Sequence, residues 1–177
     1  MGTTTFSGPV VSLGGFNPSG FNNVVNVASG DDTLILTAAD HGGRLITVED
    51  TTMVFTVPEI VATEPTDKTD PGQLCNLGLT FRFLWLATGA EGTEINLSGS
   101  DEFIGPITVA LESALQTQFL AEADDNFISI HMNATTTGGI IGSYVEITAV
   151  ASARWIAAKS LLMGSGTAAT PFAAAPS

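Results

Sequence analysis

Two histidines, one cysteine and three clusters of carboxylates are the side chains of this sequence that could do chemistry. His41 follows Asp40 and precedes Gly42-Gly43, and His131 stands between Ile130 and Met132. A general acid–base pair needs its two members within hydrogen-bond reach of one substrate atom. No motif brings these histidines together, so His41 reads as a turn residue and His131 as a strand-face residue. Asp31-Asp32, Asp67 with Asp70, and Asp124-Asp125 each gather carboxylates in a loop. A hard cation wants about six to eight oxygens. None of the three has the calcium-loop spacing, with its fixed glycine and terminal glutamate. They read as solvated turn acids, and no metal site is expected. Cys75 is the one cysteine, which excludes an intrachain disulfide and reads as a small buried apolar residue. Gly164-Ser165-Gly166-Thr167-Ala168-Ala169 fits a loose dinucleotide pattern, but Pro171 follows where a helix would have to run. No cofactor is expected.

The elements that must position these residues come from an unusual composition. The chain has 177 residues, enough for one domain with arms. Apolar residues make up 44 % and charged residues only 13 %, about half the usual share. Threonine is the commonest residue, and its β-branch suits a pleated surface. The formal net charge is −13, from 18 acids against five bases. Arg44, Lys68, Arg82, Arg154 and Lys159 form no run, so no phosphate-binding patch can be read and no nucleic acid is expected. No apolar run approaches the roughly 18 residues of a membrane-spanning helix, and the start lacks a leader's basic and apolar regions, so a chain made in the cytoplasm, with no membrane partner, is expected.

β-rich runs separated by Gly, Asn and Thr turns fill most of the sequence. Thr33–Thr37, Arg44–Val48, Met53–Val57, Leu77–Leu86, Glu94–Ser98, Phe127–Met132, Ser143–Val150 and Arg154–Leu162 read as strands, with Val24–Val27 a short one. Pro106 to Glu122 reads as the one helix, because Ala, Glu, Leu and Gln favour it, although Thr108 and Val109 oppose it. No internal repeat at a fixed period is visible. These features predict an all-β fold, a β-sandwich or jelly-roll-like barrel with one short helix and extended terminal arms. The division is an N-terminal arm over 1–30, a β-rich domain over 31–163 and a flexible tail over 164–177. The arm carries Phe6, Val10, Val11, Phe16 and Phe21 at irregular intervals, as an extended segment needing a groove would. The tail either stays loose or lies on a neighbour through Phe172.

Thr3-Thr4-Thr5-Phe6-Ser7-Gly8-Pro9-Val10-Val11-Ser12, then Gly15-Phe16, resembles the start of small virion proteins of tailed bacteriophages of marine and cyanobacterial hosts. Leu36-Thr37-Ala38-Ala39-Asp40-His41-Gly42-Gly43-Arg44, then Val54-Phe55-Thr56-Val57-Pro58, is similar to a strand–turn–strand stretch of such proteins. Ala153-Arg154-Trp155 to Gly164 resembles their last strand. Residues 60 to 125 carry no such match. The resemblance implies a capsid decoration, or cement, protein: β-rich, often trimeric, seated on the outer capsid where major capsid protein subunits meet, with no catalytic residues to carry over. On this expectation the arm residues Phe6, Val10, Val11, Phe16 and Phe21 bind capsid or subunit. Two other classes stay open, a virion fibre, spike or receptor-binding component, and a small hydrolase that would need His131 and converging acids.

Overall fold

The computed structural model of the chain describes residues 23–63, 75–112 and 116–176. The arm residues Phe6, Val10, Val11, Phe16 and Phe21 lie outside them, as does most of the loop at residues 62 to 73. Among the described residues, thirteen strands form two mixed sheets around one core, and the only helix is one turn long. The all-β expectation holds, and of the architectures it allowed the structure takes the sandwich.

The first six strands alternate between the sheets. β1 (Val24–Val27), β3 (Leu45–Val48) and β5 (Thr80–Trp85) lie side by side in the first sheet, all parallel. β2 (Thr33–Ile35), β4 (Val54–Val57) and β6 (Thr93–Leu97) do the same in the second. Val24 pairs with Leu45 and Thr33 with Val54, so both sheets gain a strand at the same 21-residue step. The backbone therefore winds as a coil whose repeat the residue types hide. The next turn of the coil is longer, because residues 58–79 intervene between β4 and β5.

The second half completes both sheets, mainly by antiparallel pairing. β10 (Tyr144–Ala151) pairs with β5, and β11 (Arg154–Ile156) folds back on it across an irregularity between Ala149 and Ala151. β7 (Glu102–Leu111) lies parallel to β11 and to β12 (Ser160–Gly164), with β8 (Thr117–Ala121) antiparallel along its other side. In the second sheet, β9 (Ser129–Met132) pairs with β6, and β13 (Phe172–Ala173) pairs with β9.

Strand alternation explains the core. Phe81, Phe83 and Trp85 point inward from β5, while Arg82 and Leu84 point out. Val145, Ile147 and Ala149 of β10 point the same way, and Phe55, Val57, Ile95, Ile130 and Met132 meet them from the second sheet. Phe55 and Phe83 join the sheets, with ring centroids 4.9 Å apart. Phe81 stacks on Trp155 at 5.8 Å. Each fully buried large apolar side chain contributes about 1.5–3 kcal/mol.

Three expectations are corrected. Pro106 to Glu122 is not a helix: Pro106–Leu111 belongs to β7 and Thr117–Ala121 is β8. Ile107, Val109 and Leu111 are buried at a spacing of two, on the same face as Phe103, and pairing with β8 and β12 overrides helix-favouring composition. The short helix stands instead at Ala38–His41 (α1), where a turn was expected. Thr37 caps it by accepting from the Asp40 amide at 3.1 Å.

The second correction concerns the tail, 164–177. Gly164 ends β12, and Phe172 is buried on the chain's own fold, stacked on Phe127 at 5.6 Å and tilted against Phe103 at 6.4 Å. The Ser165 amide donates to Thr135 O at 3.1 Å and the Ala169 amide to Thr136 O at 2.9 Å. The tail's own composition cannot offset its ordering, but two aromatic rings and the open edge of β9 do. The turn it crosses is tight. Gly138 sits at φ +80°, and a Cβ there would meet Leu162 Cβ at 2.6 Å. The third correction moves a boundary: Val24–Val27 is part of the sheet, with Val27 buried, so the core begins before residue 31.

Candidate functional site

A row of polar side chains lies across β6 and β9. Antiparallel pairing sets Glu94 opposite His131 and Asn96 opposite Ser129. All four share one face, because Ile95 and Ile130 between them point into the core. Asn96 Nδ2 donates to Glu94 Oε2 at 2.9 Å, and the Ser129 hydroxyl donates to Asn96 Oδ1. His131 Nε2 lies 3.6 Å from Glu94 Oε1, and the carboxylate is only 3 % exposed. A cleft of about 270 Å³ opens beside this row, lined by Glu91, Glu94, His131, Asn133, Thr137 and Thr170 among others.

The arrangement is a hydrogen-bonded ladder and lacks the parts of a nucleophilic site. A serine nucleophile needs its proton aimed at a base, whereas the Ser129 hydroxyl is buried and directed at Asn96. Asn96 in turn is held by Glu94. The ladder therefore ties β6 to β9 and leaves one imidazole at the cleft. A buried carboxylate that satisfies an amide and faces a histidine is a stabilising device when its partners are in place.

The remaining expected residues are dispersed. His41 Nδ1 accepts from the Thr37 amide at 3.0 Å and so closes α1; it does not line the cleft. Asp31-Asp32 lie between β1 and β2. In the turn after β8, Asp125 accepts from the Glu122 amide at 2.8 Å, and Asp124 lies 3.9 Å from Arg154 Nη2. Asp67 and Asp70 are outside the described residues. No group of three or more His, Cys, Asp or Glu side chains is placed to hold a metal among the described residues. Cys75 is half-buried, its thiol 3.6 Å from Ala62 O.

Two carboxylates outside the expected clusters are structural anchors. Asp101 is buried and its Oδ2 accepts both from Trp155 Nε1 at 3.0 Å and from the Ile60 amide at 2.9 Å. Asp50 accepts from the amides of Thr52, at 2.7 Å, and Gly30. Those amides hold its carboxyl below the usual carboxylate range. Glu94 was legible only as one polar residue of an alternating strand; its pairing with His131 crosses the chain and leaves no local signal.

The outer face of the first sheet carries Tyr144, whose hydroxyl donates to Glu146 at 2.9 Å. Burial, then the hydrogen bond to Glu146 and its charge, push the phenol up to about 12. Tyr144 is the only tyrosine, so ultraviolet absorbance during alkaline titration reads this one group. The expected midpoint is near pH 12 and not near 10, and it should fall back in a Glu146→Gln variant. A wild-type midpoint near 10 would show that the phenol is not held. The sign follows from the raised value: the contribution is full below pH 10 and is lost as pH rises through about 12.

Against this geometry, comparison with protein-family models, with curated proteins and with solved structures finds no match.

Proposed function

We propose that the protein is a non-enzymatic virion structural component, a decoration or cement protein that binds the outer capsid surface of a tailed phage and stabilises the head. The observation that carries this reading is where the chain places its polar and apolar side chains. Glu94, Asn96 and Ser129 are engaged in hydrogen bonds with one another, while large apolar side chains stand in solvent: Ile35 is 71 % exposed, Leu120 59 % and Ile141 58 %. Such groups serve contact with another surface better than they serve chemistry. The resemblance of the first residues to small phage virion proteins supports the same reading.

The mechanism is linkage. A protein that grips the assembled shell and not its free subunits shifts the balance toward the shell, by about 2.7 kcal/mol when present at a hundred times its dissociation constant. Repetition over a lattice adds avidity without new contacts. The major capsid protein is the partner this requires, and Phe6, Val10, Val11, Phe16 and Phe21 are the proposed contact residues.

Deleting residues 1–21 and measuring occupancy on purified capsids tests the proposal. The truncated chain should keep its far-ultraviolet spectrum and lose capsid binding. Unchanged occupancy removes the arm from the mechanism. Full-length protein that binds host cells or glycans and leaves capsids bare would make it a fibre or receptor-binding component instead.

A further inference from the structure

The coil of the first six strands stops at β1 and β2, and its last turn is built to receive another. Both are edge strands: among the described residues β1 pairs only with β3 and β2 only with β4. The direction of their outer backbone groups follows from the bonds on the inner side. Asn23 O accepts from the Leu45 amide and Val27 O from the Glu49 amide, so odd residues of β1 face β3, and Val24 and Asn26 face away. Asp32 O accepts from the Val54 amide and the Leu36 amide donates to Thr56 O, so Thr33 and Ile35 face away from β4. Arg44 Nη2 donates to Val24 O at 3.1 Å, but a guanidinium cannot serve the outward amides.

The repeat of the coil says what belongs there. In its second turn, Leu45, Thr47, Val54 and Thr56 face the turn before them, and they pair with Val24, Asn26, Thr33 and Ile35 at one 21-residue step. The first turn therefore offers upstream the same groups that the second offers to the first. Its inward side chains also lack cover: Val25 and Leu34 are only partly buried, whereas Ile46 and Phe55, one step on, have no exposure. One step back carries Val24–Val27 onto residues 3–6 and Thr33–Ile35 onto residues 12–14. The side chains found there agree with the faces. Phe6 takes the inward position of Val27 and Val48, and Leu13 that of Leu34 and Phe55. Thr3, Thr5 and Ser12 take outward positions. Thr4 falls inward with Val25 and Ile46, as suits an outermost turn with no further neighbour.

We propose that residues 3–14 add one more turn to this coil, as parallel strands along β1 and β2, and cap its end. The occupant is this chain's own N-terminal segment, and its addition keeps two uncharged edges from pairing with other molecules. The proposal concerns the isolated protein and stands apart from capsid binding. It divides the arm: Phe6 faces inward in this register and reaches a capsid only when the turn peels away, while Val10, Val11, Phe16 and Phe21 lie outside the added strands.

Amide hydrogen exchange of the full chain, resolved residue by residue by NMR, tests it. In wild type the amides of Val24, Asn26, Thr33 and Ile35 should exchange about a hundredfold or more below open-chain rates. Phe6→Asp and Leu13→Asp each put a charge where the register needs an apolar side chain. Either should return these four amides toward open-chain rates while those of Phe83 and Ile147 stay slow. Free exchange at the four positions in wild type overturns the proposal. Protection that survives both variants overturns it too, as does protection that rises with protein concentration, which places a second molecule on the edge. Capsid occupancy does not enter this readout, so its failure is distinct from a failure of capsid binding.

Discussion

Phe83→Ala should lower folding stability by about 3–5 kcal/mol, measured by chemical denaturation. Phe83 has no solvent exposure and sits at the centre of the contact between the sheets. Its ring packs 4.9 Å from Phe55 and 6.1 Å from Trp85. On its own sheet it pairs with Ile46 on one side and Val145 on the other. Truncation opens a cavity that strands fixed on both sides cannot collapse into. Whole domains are commonly stable by about 5–15 kcal/mol, so this loss is a large share of the total. Ile35→Ala supplies the contrast: that side chain points into solvent, and its removal should move stability by no more than about 0.5 kcal/mol. Equal losses at the two positions would mean that the inward and outward faces are misassigned.

Asp101→Ala should be nearly as severe for a different reason. The carboxylate accepts from the Trp155 indole and from the Ile60 amide through the same oxygen. Both donors would be left without an acceptor, at about 1–3 kcal/mol for each buried group. Asp101→Asn keeps a carbonyl oxygen in place and should lose less. The difference between the two variants, read from denaturation midpoints with tryptophan emission as the probe, measures what the acceptor contributes. Equal stability in Asp101→Ala and wild type would show that the anchor has no energetic weight. Trp155 also stacks on Phe81, so its emission should redden in the alanine variant if the indole loosens.

Local patterns carried a good deal of this fold. Leu77–Leu86 is strongly apolar and rich in aromatic residues, and β5 is found inside that range with Phe81, Phe83 and Trp85 facing in. Alternation also marked β6, within Glu94–Ser98, and β-rich runs marked β3, β4 and β10. Where the reading went wrong, two local signals competed. In 106–122 the apolar residues satisfy a period of two as well as they satisfy a helix, and helix-forming residue types tipped the reading. Pro106 could have been the corrective: the even residues of β7 face β11 and β12, and residue 106 falls between their pairings at Ile104 and at Ile107, where a missing amide costs little. Phe172 gave no local hint either, because the rings that hold it lie at positions 103 and 127.

The cluster at β6 and β9 was less legible still. His131 was visible as a strand residue, but nothing near it in the chain names Glu94, whose carboxylate accepts from Asn96 on its own strand and faces His131 on the next. What the amino-acid order determined alone is the class of fold, the sign of the surface and the alternation of each strand. These rest on side-chain size, charge and the two-residue period of an extended backbone. Tertiary structure decided which strands became neighbours, that the first six wind between two sheets, and which polar groups share a face. Those are pairings between residues far apart in the chain, and a strand's sequence specifies the face it buries far more strongly than the strand it lies beside.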